Sequence, residues 1–194
     1  MGHRFYGRNI VSKLLATTSA ARRNYPIALL VGLIGGAFAA IVKFGWEVPF
    51  PPRTPERNAT NPPQEILQQL GFSADFTHTT IGFNGNDLPI ISFIIHFGFS
   101  IFFGLLYCVL AEKYPKVKMG QGAVFGLLVW VVFHLLLMPA IGTVPAPWDQ
   151  PLEEHLSEAF GHIIWMWAIE IVRRDLRNRI THQPDAEVEP VPEH

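Results

Sequence analysis

Long apolar segments alternate with shorter polar ones along the chain, and this alternation predicts the architecture. Four apolar segments stand out, at 26–45, 89–111, 121–142 and 153–172. An α-helix rises about 1.5 Å per residue, so a segment of roughly 20 residues covers the ~30 Å hydrocarbon core of a bilayer. The pattern therefore predicts an all-α, polytopic membrane protein with a bundle of four transmembrane helices.

The fourth segment is the most polar of the four. Its polar side chains include Glu154, His155, Ser157, Glu158, His162 and Glu170. Such a helix spans a membrane only if its polar face is turned towards other helices. The third segment contains Pro139, which predicts a kink near one end.

Polar stretches between the apolar segments predict the remaining organisation. We expect a basic cytoplasmic leader at 1–25, a transmembrane domain at 26–180 and a disordered cytoplasmic tail at 181–194. The transmembrane domain contains two periplasmic loops, at 46–88 and 143–152, and one cytoplasmic loop, at 112–120. Within the first loop, Pro62-Pro63 precedes a short predicted helix at 64–70, and Gly82, Asn84 and Gly85 indicate turns.

Lysine and arginine are distributed unevenly between the two predicted sides of the membrane. Five of them lie in the leader, three in the 112–120 loop and four after the fourth apolar segment, at Arg173, Arg174, Arg177 and Arg179, whereas the 46–88 loop contains two and the 143–152 loop none. Positive residues accumulate on the cytoplasmic side. The counts predict that both termini are cytoplasmic.

A cleaved signal peptide is the alternative interpretation of the first apolar segment. Arg22-Arg23 precedes it, and Ala37-Phe38-Ala39 resembles a cleavage site. However, a 25-residue leader is long for a signal peptide, and Lys43 and Trp46 are typical of the interfacial end of a retained helix. In a retained helix, we expect Lys43 to extend its ammonium group to the outer surface.

Composition excludes several classes of function. Charged residues make up 16% of the chain and the net charge is -1, so nothing indicates nucleic-acid binding. The single cysteine, Cys108, can form no intrachain disulfide. No nucleophile motif, P-loop or dinucleotide fingerprint is present, so we expect no enzyme activity and no cofactor.

Small residues recur at every fourth position in two of the predicted helices. They are Gly32, Gly36 and Ala40 in the first helix, and Gly122 and Gly126 in the third. Such stripes let two helix backbones approach closely. They are candidate helix-packing positions, either within the chain or in a homo-oligomer.

Histidine placement suggests a candidate functional cluster. His96, His134 and His162 lie at similar predicted depths in three helices, and His155, Glu158 and His162 share one face of the fourth. Histidine changes charge near physiological pH, and a neighbouring carboxylate raises its proton affinity. A proton-responsive cluster is therefore one interpretation. The alternatives are a hydrogen-bond network that fixes packing, a His/Glu metal site, and haem held between two histidines.

Two stretches of the chain resemble a known family. Residues 42–55 read VKFGWEVPFPPRTP, residues 157–185 read SEAFGHIIWMWAIEIVRRDLRNRITHQPD, and a turn between them reads Tyr114-Pro115-Lys116-Val117-Lys118. They resemble the YagU family of bacterial inner-membrane proteins over most of residues 26–185, whereas 1–25 and 58–88 depart from the pattern. The resemblance implies an inner-membrane location and an association with acid tolerance, and it supplies no catalytic residues.

These observations together favour a non-enzymatic inner-membrane protein that contributes to acid resistance, with the lipid bilayer as its partner. A small oligomeric transporter or channel remains an alternative, as does a haem- or metal-binding membrane redox protein.

One further charge in the fourth segment has a structural interpretation. Glu170 precedes Arg173 and Arg174 by three and four residues, which predicts an ion pair within the helix.

Overall fold

The computed structural model describes residues 15–185, so most of the predicted leader and the end of the predicted tail lie outside the described residues. The helices are α1 (Tyr25–Glu47), α2 (Pro62–Gln69), α3 (Ala74–Thr77), α4 (Ile90–Lys113), α5 (Ala123–Ala140) and α6 (Leu152–Thr181), and the strands are β1 (Thr80–Phe83) and β2 (Asn86–Pro89). Short 3-10 turns lie at Ala20–Arg22, Pro115–Lys118 and Pro147–Asp149.

Local sequence signals explain where these elements begin. The Asn24 side chain accepts a hydrogen bond from the Ile27 amide at 3.2 Å and so caps α1, while Pro26 occupies the first turn. Asn61 and Gln64 form a reciprocal capping box at the start of α2. Asn84 and Gly85 have φ of 50° and 76°, the conformation that a tight turn between β1 and β2 requires.

The third long helix contains a local irregularity near its proline. Val131–Leu137 forms a π-helical segment within α5, just before Pro139. Proline has no N–H to donate to the carbonyl of Leu135, and a π bulge lets that stretch of backbone adjust its hydrogen bonds. The irregularity predicted at Pro139 is thus a widened turn.

The long helices form a bundle in which α1 packs against α4 and α6, and α5 packs against α6. In the described part of the chain, three helices are long and apolar enough to cross a membrane: α1, α4 and α5. The chain is therefore a helical membrane protein. α6 is too polar to meet the same criterion.

The polarity of α6 is inverted relative to a helix of a soluble protein. Its buried positions include charged residues and a histidine, at Glu154, Glu158, His162, Glu170, Arg173 and Arg177. Its exposed positions include Leu156, Phe160, Trp167 and Ile171. Charged side chains of α6 thus face the bundle beside Trp165, Met166 and Ile169, while several large apolar ones face outwards. We call this arrangement the inverted polarity of α6.

The described start of the predicted tail contacts α6. α6 continues to Thr181, and Asp185 accepts hydrogen bonds from Arg173 at 3.0 and 2.8 Å. An ion pair with Arg173 holds this segment against the bundle. The sequence pattern missed it because the 181–194 stretch has no apolar face.

Candidate functional site

A cavity of about 410 Å³ opens at the end of the bundle that carries α2 and the β hairpin, which we call the hairpin end. Proline-rich loops frame it, and all four long helices contribute to its wall. Among its lining residues are three of the predicted histidines and both ends of a buried ion pair: Lys43, His96, His134, Glu158 and His162. We call this cavity the histidine pocket.

Glu158 lies at the centre of the charged groups in this pocket. Its carboxylate is 3.2 Å from Lys43 Nζ and 3.6 Å from Arg53 Nη1. His134 Nε2 and His162 Nδ1 each lie 3.8 Å from Glu158 Oε2. One small volume thus contains a carboxylate, an ammonium group, a guanidinium group and two imidazoles. The Glu158 side chain is only 8% exposed.

Lys43 corrects one sequence-based interpretation. We expected it to extend to the surface, but its side chain is buried and contacts Glu47 at 2.6 Å as well as Glu158. Gly161 makes this path possible, since a Cβ at that position would lie 2.9 Å from Lys43 Nζ. Lys43 and Arg53 are site residues that sequence reasoning missed, because their partner is more than a hundred residues away in the chain.

Hydrogen bonding fixes the His162 ring. Its Nδ1 lies 2.7 Å from the backbone carbonyl of Glu158, and a carbonyl only accepts, so Nδ1 carries the proton. The ring meets His134 edge-on, with centroids 4.9 Å apart, and Trp165 at 5.7 Å. Protonation at His162 or His134 is therefore felt directly by the other ring.

His96 lines the same pocket, and His155 does not. The His96 ring stacks on Phe44 with centroids 4.2 Å apart, and its Nε2 is buried without a hydrogen-bond partner in residues 15–185. The His155 Nε2 instead hydrogen-bonds the carbonyl of Pro147 at 2.8 Å and faces Trp130. The structure thus groups His134, Glu158 and His162, places His96 nearby, and directs His155 elsewhere.

Most of the small residues singled out in the sequence face neighbouring backbones. A Cβ on Gly32 or Gly36 would lie 2.8 or 2.7 Å from backbone atoms of α4. Gly122 and Gly126 lie in the same way against α6, at Met166 and His162. Ala40 is fully buried.

A second buried charge cluster lies at the opposite end of the bundle. Glu112 pairs with Arg177, each side chain 1% exposed. Arg173 donates two hydrogen bonds to Glu170, at 2.6 and 2.7 Å, and Tyr107 donates a third at 2.9 Å. The predicted pairing of Glu170 thus involves Arg173. The Glu112 pair was missed, because Arg177 lies 65 residues further along the chain and no local spacing links the two.

Asp185 completes this second cluster from outside the helices. Burial alone would raise the pKa of Asp185, but hydrogen bonds from Arg173 and Lys118 outweigh burial and lower the pKa from 3.8 to about 2. The carboxylate therefore stays ionised at any physiological pH. It helps to attach the end of the chain to α6.

Aromatic side chains separate the two polar clusters. Phe133 meets Phe99 and Phe103 edge-on at 5.0 and 5.6 Å, and Phe99 stacks on Trp165 at 5.9 Å. Trp165 Nε1 donates to Ser100 Oγ at 2.7 Å, and Ser100 donates to the carbonyl of Gly36 at 2.6 Å. This layer closes the inner end of the histidine pocket.

The pocket provides donor atoms for a metal ion but an unfavourable charge environment. One donor atom each from His134, Glu158 and His162 lies within 4.8 Å of the others. A cation would have to displace the ammonium of Lys43, so we assign no metal to these residues. Direct contact between the His134 and His162 rings leaves no room for a haem macrocycle between them.

Comparisons with known proteins give the following relationships. A family model described as "Protein of unknown function (DUF1440)" matches residues 37–171. "Inner membrane protein YagU" of Escherichia coli (strain K12) is 39% identical over 193 residues, covering 88% of this chain and 94% of that protein. No solved structure matches.

Proposed function

Since this chain belongs to the YagU family of inner-membrane proteins, the family of the DUF1440 model, we propose that it is a non-enzymatic membrane protein that contributes to acid resistance. The observation that carries the proposal is the buried contact of His134, Glu158 and His162 in a cavity that opens at the hairpin end. The proposed mechanism is protonation of these imidazoles, which changes how α1 and α6 pack.

The charges around the cluster determine the direction of this effect. The groups that face it are Lys43 and Glu47 from α1, Arg53 from the following loop, His96 from α4, His134 from α5, and Glu158 and His162 from α6. With neutral imidazoles the two cations balance the two carboxylates. One added proton makes the cluster positive and repels Lys43, which weakens the contact between Lys43 and Glu158.

The proposed topology places this cluster on the side where acid arrives. We propose four spans, α1, α4, α5 and α6, with both termini cytoplasmic, as the uneven distribution of lysine and arginine favours. The inverted polarity of α6 supports its role as the fourth span.

Cysteine labelling tests the topology. In a Cys108→Ser background, a membrane-impermeant maleimide should label Asp87→Cys and Asp149→Cys in spheroplasts, because both positions are exposed in the predicted periplasmic loops. Lys116→Cys should react only after the membrane is permeabilised. Labelling of Lys116→Cys in intact spheroplasts would contradict the orientation.

Tryptophan fluorescence tests the protonation step. A charged imidazolium changes the emission of an adjacent indole, and His162 contacts Trp165 edge-on at 5.7 Å. In the full chain in lipid nanodiscs, we expect a pH-dependent signal that disappears in Trp165→Phe. The signal should be lost in a His134→Gln/His162→Gln double variant and retained in His155→Gln, the matched control outside the cluster.

The same variants test the physiological role. Cells that rely on the double variant should survive acid challenge less well, and hold internal pH less well, than cells with His155→Gln at equal membrane abundance. Equal survival of the two strains would refute the acid-resistance mechanism, and an unchanged fluorescence titration would refute the assigned residues.

A transporter or channel, assembled as an oligomer, is the second candidate function. The histidine pocket favours it, because a cavity of about 410 Å³ is large enough for a small solute. The aromatic layer at Phe99, Phe103 and Phe133 argues against a continuously open pore. Solute and proton flux in proteoliposomes decides between the two candidates.

A further inference from the structure

The histidine pocket has the volume and the largely apolar lining to hold a small apolar chain. Five prolines line it, and aromatic and aliphatic side chains form much of the remaining wall. The prolines are Pro51 and Pro52 in the loop after α1, Pro62 and Pro63 at the start of α2, and Pro89 at the end of β2. Proline restricts backbone motion, so the rim is largely pre-formed. A cavity of about 150 Å³ takes benzene, so the 410 Å³ found here has room for on the order of 12–16 non-hydrogen atoms.

Two polar groups in this pocket have unused hydrogen-bonding capacity. His96 Nε2 is buried and has no partner in the described part of the chain. An ammonium group has three N–H donors, and Lys43 uses two of them, on Glu47 and Glu158. A buried polar atom without a partner is unfavourable, so a ligand that satisfies both groups gains affinity from them.

Charge balance restricts the kind of head group that can enter. Lys43 and Arg53 are balanced by Glu47 and Glu158, so the pocket has no excess charge when its histidines are neutral. A phosphate or an amine would bring an uncompensated charge into a buried site, which is costly. The head group should therefore be able to enter as a neutral species.

Hydrogen-bond chemistry narrows the head group further. Lys43 needs an acceptor. The neutral His96 ring already donates its N–H to the backbone carbonyl of Ala40, so its Nε2 needs a donor. A carboxyl group serves both at once, with one oxygen towards each. An alcohol offers one oxygen to two partners, an ester only accepts, and an amine repels Lys43.

From this geometry we propose that the histidine pocket binds a medium-chain monocarboxylic acid, with its carboxyl group between His96 and Lys43 and its chain along the aromatic wall. The acid would occupy the same cavity as the proton-responsive residues of the proposed function, and its binding depends on that function in no other way.

Decanoic acid, which has about twelve non-hydrogen atoms, is the probe that matches the cavity volume. Binding is measured on the full chain in nanodiscs by the rise in thermal unfolding temperature and by infrared spectroscopy of a ¹³C-labelled carboxyl group. We expect a concentration-dependent stabilisation and a shifted carboxyl band on binding. Decan-1-ol and methyl decanoate, which have the same chain, should bind at least tenfold more weakly.

His96→Phe tests the assigned contact while preserving the aromatic stack on Phe44. Without ligand, this variant should be at least as stable as the parent, because it removes a polar atom that lacks a partner. It should bind decanoic acid at least tenfold more weakly and lose the shifted carboxyl band. His96→Gln, which keeps a hydrogen-bonding group, should bind with intermediate affinity, and His155→Phe is the matched control outside the pocket.

Two results would overturn the proposal. One is equal binding of decanoic acid by the parent and by His96→Phe, and the other is equal affinity of the parent for the acid, the alcohol and the ester. Either result leaves the ligand-free fluorescence titration unaffected. Conversely, loss of that titration in a protein that still binds decanoic acid through His96 would refute the proposed function alone.

Discussion

The contact between α1 and α4 makes Gly36→Ala an informative substitution. A Cβ at Gly36 would lie 2.7 Å from both the Cα of Ile101 and the carbonyl oxygen of Ser100, and backbone atoms cannot rotate away. The two helices must therefore separate, which also strains the 2.6 Å hydrogen bond from Ser100 to the Gly36 carbonyl.

The expected destabilisation follows from two opposing effects. Overpacking costs roughly 1–3 kcal/mol, and loss of the Ser100 hydrogen bond adds about 1 kcal/mol. Alanine regains at most about 1 kcal/mol of helix propensity relative to glycine. The net effect is a loss of about 1–3 kcal/mol in the free energy of unfolding.

Gly45→Ala is a matched control in the same helix. No atom lies within 4 Å of the Cβ that this substitution adds. It should leave stability unchanged or raise it by up to about 1 kcal/mol. Thermal or denaturant unfolding of both variants in the same lipid or detergent gives the comparison. If Gly36→Ala were as stable as Gly45→Ala, the close approach of α1 and α4 would be refuted.

Charged groups at the end opposite the hairpin lead to two further predictions. Arg177→Met leaves the buried Glu112 carboxylate unpaired and should cost about 3–5 kcal/mol, whereas Arg179→Met breaks an exposed pair with Asp175 and should cost less than about 1 kcal/mol in the same unfolding assay. Asp185→Asn should lower the free energy of unfolding by roughly 1 kcal/mol at neutral pH. The lowered pKa of Asp185 implies ~2 kcal/mol, and partial exposure of the carboxylate to solvent reduces this figure. Because this pKa is lowered on folding, the contribution of Asp185 is present above its unfolded pKa of 3.8 and is lost as the pH falls through about 2, so the difference between the variant and the parent should shrink steadily over that range. A difference that does not shrink between neutral pH and pH 2 would contradict the assigned ion pair.

Helix positions were predictable because apolar length is a local signal. The predicted segments at 26–45 and 89–111 lie within a few residues of Tyr25–Glu47 and Ile90–Lys113. The position of α6 also agrees with the prediction, although its end at Thr181 lies beyond the predicted 172. The helix continues because Arg173 and Arg177 have buried partners, which apolar length does not reveal.

The composition of the histidine pocket was only partly predictable. Spacing within one helix shows which side chains share a face, so the proximity of Glu158 and His162 follows from their i, i+4 relation. Spacing does not reveal which residue of another helix will meet them. Lys43 was assigned to the surface because its position near a helix end allows snorkelling, yet Gly161 on α6 leaves space for it inside.

The polar face of α6 has a consequence for how the protein is made. Several partners of its buried charges precede it in the chain: Lys43, Arg53, Arg57 and Glu112 are all synthesised before α6. A helix this polar enters hydrocarbon poorly on its own. If α6 is the fourth span, as proposed above, its insertion depends on the earlier helices already being in place at the translocon, and truncations that remove α1 should leave α6 outside the membrane.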